Sequence, residues 1–211
     1  MKRVLSATLC LLMVLSLAAC SSEKDALVGS WQGEYDMASI LNESMTAGDP
    51  EMAQFLNVSR FSLNYTITFG EDGSYQMSVD RKALEEAFWQ AMEEIETGIY
   101  DYFAYFLDSE GIEMDVESFL ALGNTSVDEM LAESFTEDYL DEIVLSMAMS
   151  GNFDARDGKL FLSDGPETSP DPEYFEYYTL EGDTLTIDRG SAQEVTEFDA
   201  LIYPMVLTRM S

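Results

Sequence analysis

Histidine does not occur in this chain of 211 residues, and cysteine occurs only as Cys10 and Cys20. Without an imidazole there is no base for a serine or cysteine triad, no His-based proton relay and no zinc site of the usual type. With both thiols near the N-terminus, disulfides and thiol chemistry are excluded for the body of the chain. Basic residues are scarce as well: 10 Lys and Arg stand against 41 Asp and Glu, a net charge of −31. A surface this acidic repels nucleic acid and anionic headgroups and draws cations and basic partners toward it. Neither a glycine-rich phosphate loop nor the spacing of a calcium-binding EF-hand is present. A glycosidase would need two carboxyls held about 5–10 Å apart, and 41 acidic residues offer no basis for choosing a pair. The chain is therefore expected to be non-enzymatic, with no catalytic residue, no metal site and no cofactor.

What is present begins at the N-terminus, where Lys2 and Arg3 precede an apolar run from Val4 to Leu17 and then Ala18 and Ala19. That order predicts a signal peptide over residues 1–19, since the run falls short of the roughly 18 to 20 residues that cross a bilayer comfortably. Leu17-Ala18-Ala19-Cys20 matches a lipobox, in which small residues suit the lipoprotein signal peptidase and the cysteine thiol takes a diacylglycerol. The expectation is a chain cut before Cys20, lipidated there and held on the extracytoplasmic face of the cell membrane. Two or three acyl chains, at about 0.8 kcal/mol per buried methylene, suffice for that. Cleavage removes Lys2 and Arg3 but no acidic residue, so the charge imbalance grows.

Beyond the anchor, residues 20–26 read as a polar tether and 27–80 as the first part of a β-barrel with short helices. Trp31 and Tyr35 share one side of the first strand, and Asp49-Pro50 is a cap followed by proline at a helix start. From Phe61 to Phe69 every second residue is apolar, which is the pattern of a half-buried strand. Gly70-Glu71-Asp72-Gly73 turns the chain, and Tyr75, Met77 and Val79 continue the alternation as the second arm of a hairpin. Residues 81–150 change to helical period: Leu84, Phe88, Ala91, Ile95, Tyr102 and Phe106 form one stripe, with the acidic residues largely outside it. Within the aromatic stretch Tyr100–Phe106, Tyr102, Phe103 and Phe106 fall on or near that stripe, which favours core packing over ligand contact. Further helices are predicted over Val116–Leu122, after Ser126 and after Thr136. Residues 151–211 return to strands, with turns at Asp157-Gly158 and Gly182-Asp183. About eight strands in meander order predict an α+β fold, an antiparallel barrel with an inserted helical subdomain.

Gly29-Ser30-Trp31 on the first strand, the hairpin meander and the final Leu207-Thr208-Arg209 resemble the lipocalin-like barrels of bacterial lipoproteins. More narrowly, Leu27–Tyr35, the Gly-Glu-Asp-Gly turn, the acidic helical insertion and Gly158–Gly165 resemble an uncharacterised lipoprotein family of Gram-positive gut bacteria. The resemblance implies a lipocalin-like barrel in which Trp31 and Arg209 pair at the closed end, guanidinium over indole, worth about 0.5–2 kcal/mol. That role is maintenance of the fold.

Two functions follow as expectations. In the first, the barrel holds a small apolar or amphipathic ligand, with Tyr35, Phe61, Tyr65, Ile67, Tyr75, Met77, Phe175 and Tyr177 as candidate lining residues; period-two alternation sets Phe175 and Tyr177 together on one face of their strand. In the second, the protein is a non-catalytic envelope interaction protein whose acidic helical face docks a basic partner.

Overall fold

The computed structural model describes residues 22–46, 51–135, 137–191 and 202–211. The expected signal peptide, the expected lipidation at Cys20 and the expected Asp49-Pro50 cap lie outside the described residues. Eight strands are described: β1 Gly29–Asp36, β2 Ser62–Phe69, β3 Ser74–Val79, β4 Met149–Arg156, β5 Lys159–Leu162, β6 Glu176–Glu181, β7 Thr184–Asp188 and β8 Met205–Arg209. They close into a barrel in chain order, with antiparallel pairing wherever the register is given. The meander barrel with a helical insertion is thus the fold.

The alternation of β2 explains its place: Leu63, Tyr65, Ile67 and Phe69 are buried, and Thr68 between them is exposed. Ser62 is polar yet buried, and it stays hydrogen-bonded, donating to Glu34 Oε1 at 2.7 Å and accepting from Arg60 Nε at 2.9 Å. The β4–β5 hairpin turns on Asp157 and Gly158, both with positive φ (55° and 69°), as a two-residue loop matched to strand twist requires. Arg156 and Lys159 pair across it.

Among the described residues two compact units are distinguished, one comprising those up to Trp31, Ile67–Gln76 and those from Met149 on, the other those within Gln32–Thr66 and Met77–Ala148. In the first, the strand unit, Trp31, Phe69, Phe153, Leu160, Leu185, Ile187 and Leu207 are almost fully buried, and the Phe69 and Phe153 rings meet at 4.7 Å. From Glu23 on, the polar tether expected over residues 20–26 is instead the start of a short helix of this unit. Ser22 and Asp25 form a reciprocal capping box that starts helix α1, Glu23–Leu27. Leu27 is wholly buried, and Lys24 Nζ lies 5.0 Å from the centre of the Phe153 ring.

In the second, the helical unit, α2 spans Ala38–Thr46, a 3-10 turn Met52–Gln54, α3 Arg81–Ser109, α4 Val116–Leu122, α5 Val127–Ser134 and α6 Glu137–Met147. Helix α3 starts where Asp80 accepts from the Lys82 and Ala83 amides. Its buried stripe runs Leu84, Phe88, Ala91, Met92, Ile95, Ile99 and Leu107. Tyr102 and Phe106, expected on that stripe, are only half-buried. They pack sideways, Tyr102 on Phe55 at 5.9 Å and Phe106 on Phe119 at 6.0 Å. Glycine in mid-helix costs about 1 kcal/mol relative to alanine, and Gly98 has a spatial reason to be there: a Cβ would sit 2.5 Å from the Phe55 carbonyl. The insertion is shorter than expected at its end, because β4 already begins at Met149.

Candidate functional site

The strand unit has two unlike ends. At one end the hairpin turns meet α1. Trp31 Nε1 donates to Leu27 O at 2.7 Å, and Arg209 donates to Val28 O and Ala26 O at 2.8 and 2.7 Å. The Arg209 guanidinium lies 4.0 Å over the Trp31 ring, so the pair singled out in the sequence is in contact. Gly29, at φ +128°, brings the backbone so close that a Cβ would meet Arg209 Nη1 at 3.0 Å. Glu23 accepts from Gly158 N at 3.0 Å and from the Tyr178 hydroxyl at 2.9 Å, which fastens α1 to the strands. This end is shut by hydrogen bonds and packing.

At the other end the first residues of β4 and β6, the last of β5, the segment after β7 and the segment before β8 converge on a cavity of about 240 Å³. Leu160, Leu162 and Met149 give it apolar surface, and Tyr75, Tyr174, Phe175 and Tyr203 give it aromatic walls. Asp164, Glu176 and Arg189 bring charge to the same space.

The walls are held from below. Ser163 is buried; its Oγ accepts from Asn152 N at 2.8 Å and donates to Gly165 O at 2.9 Å. Tyr75 donates to Ser163 O at 2.9 Å, and its ring reaches so close to Gly151 that a Cβ there would lie 2.9 Å from Cε1. Across the cavity, Ser191 N donates to Phe175 O at 2.8 Å and Phe175 N to Ser191 Oγ at 3.1 Å. The Tyr203 hydroxyl donates to Glu176 Oε1, which orients that carboxylate. Burial raises the Tyr75 phenol above its ordinary pKa, and the negative charges of Asp164 and Glu176 raise it further. The field inside the cavity is therefore negative where those two acids face it.

Of the candidate lining residues, Tyr75 and Phe175 line this cavity, and the other six do not. Phe61 is core of the helical unit, its ring 6.4 Å from that of Phe88. Tyr65 is buried against Gly33, leaving no room there for a Cβ, and burial pushes its phenol up to about 12. Ile67 and Met77 are buried, and Tyr35 is half-buried. Tyr177 faces outward, 48% exposed. The register decides this, because Glu176 pairs with the fully buried Leu160 and Tyr177 with Lys159, so Glu176, Tyr178 and Leu180 take the inner side. Outside, Tyr177 packs on Phe175 at 5.3 Å and Lys159 Nζ lies 4.0 Å over Phe175, bracing the wall from behind.

Glu176, Arg189 and Tyr203 were not singled out from the sequence, and Asp164 and Tyr174 were not among the candidate lining residues. They come from three separate stretches of the chain, at or beside strand ends, and share no period; their common signal is a place beside a turn or loop. Among the described residues no three of His, Cys, Asp and Glu gather as a metal site would require. What the arrangement can do is hold a small molecule with an apolar body and a polar, positively charged end. The chain matches no family model, no curated protein and no solved structure.

Proposed function

We propose that this protein is a membrane-anchored extracytoplasmic lipoprotein with a lipocalin-like barrel, and that it binds a small amphipathic molecule without catalysis. The observation that carries the binding is the 240 Å³ cavity that combines Leu160 and Leu162, aromatic walls and the charged side chains of Asp164, Glu176 and Arg189. Its volume exceeds the about 150 Å³ that admits benzene and falls below the roughly 300 Å³ at which pockets for drug-sized ligands begin. A ligand of one ring or a short alkyl chain is the matching size. Two carboxylates against one guanidinium favour an amine on that ligand, and tyrosine faces add cation–π attraction. The buried side chains of the strand unit support binding at the end of the strands rather than along the axis.

The test is thermal-shift screening, with native mass spectrometry for co-purified ligand, on the chain from Ser22 onward. Tyramine and short alkylamines are the probes, with bile-type amphiphiles, too large for the cavity, as the comparison. A rise in Tm with the amines that is lost in Glu176→Gln and weakened in Tyr174→Ala is the expected result. No shift with any probe and no co-purified mass, or a shift untouched by both substitutions, removes the reading.

A further inference from the structure

A different surface of the protein has the features of a peptide-docking groove. Helices α3 and α5 of the helical unit enclose a groove of about 520 Å³ whose floor includes Phe88, Met92, Leu131 and Phe135. Trp89 stands at its edge, 53% exposed although it is the largest apolar side chain of the unit. The rings continue as a row: Trp89 meets Phe88 at 5.3 Å, Phe88 meets Phe135 at 6.2 Å, and Phe135 meets the partly exposed Tyr139 at 6.2 Å. The rim is acidic on both sides, with Glu93 and Glu96 from α3 and Asp128 from α5. Asp128 and Glu96 also act on Tyr100, whose phenol is raised first by burial, then by Glu117 and then by these two acids.

We infer that this groove docks a basic amphipathic helix of a partner protein, its apolar side on the aromatic row and its Lys or Arg side chains at Trp89 and the acidic rim. An apolar trough accepts an amphipathic helix through anchors spaced three and four residues apart, and the rim specifies the sign of the partner's charge. A second copy of this chain does not fit. From Arg81 to Ala148 the only bases are Arg81 and Lys82, and both already pair with acids of their own unit, Arg81 with Glu85 and Asp141 and Lys82 with Glu86. An anionic membrane surface is repelled by the same charges. The inference does not depend on the cavity of the strand unit.

The chain contains two tryptophans, and Trp31 is fully buried and hydrogen-bonded to Leu27 O, so a change in indole emission on docking reports Trp89. The purified chain carrying Cys20→Ser is titrated with a synthetic amphipathic helix of leucine and lysine, and with its leucine and glutamate counterpart. A saturable blue shift with the lysine peptide alone is expected. Neutralising the rim as Glu93→Gln, Glu96→Gln and Asp128→Asn weakens that binding by about tenfold, whereas removing equal charge elsewhere as Glu110→Gln, Glu113→Gln and Glu142→Gln weakens it by less than about threefold. Trp89→Ala, followed by calorimetry and with helicity checked by circular dichroism, weakens it as well. Absence of binding, equal binding of both peptides, equal loss in the two charge variants, or indifference to Trp89→Ala overturns the inference.

Discussion

The guanidinium of Arg209 lies 4.0 Å above the Trp31 ring while its two Nη atoms donate to the carbonyls of Val28 and Ala26. One side chain of the last strand thus holds the first strand and the end of α1 together. A hydrogen bond to a charged group contributes about 1.5–3 kcal/mol, and stacking on an indole adds about 0.5–2 kcal/mol. The side chain is 30% exposed, so the lower part of the sum applies. Arg209→Met is expected to destabilise the protein by about 2–4 kcal/mol in urea unfolding. Arg209→Lys recovers less than half of that, because an ammonium cannot reach both carbonyls and cover the ring. A loss below about 0.5 kcal/mol in Arg209→Met would show that the contact is incidental.

Tyr65 lies across Gly33 so closely that any β-carbon at position 33 collides with its phenol ring. Forcing extra atoms into a filled core costs about 1–3 kcal/mol, and Gly33→Ala is expected to fall in that range. In a Tyr65→Leu background the same substitution costs less than half as much, since the ring it strikes is gone. The double-mutant cycle in chemical denaturation measures this coupling. Additive effects would mean that the two residues do not touch in solution.

Much of this architecture was legible in the sequence, and the failures have physical causes. The barrel was readable because period-two alternation in Phe61–Phe69 and Tyr75–Val79 and the turns at Asp157-Gly158 and Gly182-Asp183 are local signals. Helix α1 was missed although its capping box, Ser22 with Asp25, was present; five polar-looking residues suggested a tether, and only the closed end gives Leu27 something to pack on. Alternation along β6 separated two faces but could not say which was inner, and the pairing of Glu176 with Leu160 decided it. The same limit applies to the ligand site. Phe61, Tyr65 and Ile67 looked like cavity walls because core and cavity share an apolar pattern, whereas the groups around the cavity are set by loop ends that no period encodes.

Cys20 offers a test independent of the fold. Because Leu17-Ala18-Ala19-Cys20 matches a lipobox, attachment is expected to depend on the lipid. Cys20→Ser should move the protein from the washed membrane fraction to the soluble extracytoplasmic fraction and abolish metabolic labelling with palmitate. Retention of the serine variant on salt-washed membranes, or labelling that persists, would refute lipid attachment at this residue.

The contact between Glu23 and Tyr178 ties the stability of the closed end to pH from both directions. The Gly158 amide first, and then the Tyr178 hydroxyl, hold the Glu23 carboxyl below its ordinary value. Burial, followed by the hydrogen bond to Glu23, raises the Tyr178 phenol. A depressed carboxyl contributes stability above its unfolded value, about 4.3, and loses it as pH falls through the folded value. A raised phenol contributes stability below about 10 and loses it as pH rises through its folded value. Unfolding midpoints measured across pH should therefore fall at both extremes. Glu23→Gln flattens the acid limb in part, because Glu34, Asp72 and Asp115 are also held low by hydrogen bonds. Tyr178→Phe flattens the alkaline limb in part, leaving what is due to Tyr65, Tyr35, Tyr75 and Tyr100, whose phenols are raised as well. If Tyr178→Phe keeps the alkaline limb of the parent protein, the hydroxyl does not hold its proton against Glu23, and α1 is fastened by its buried leucine and by Arg209.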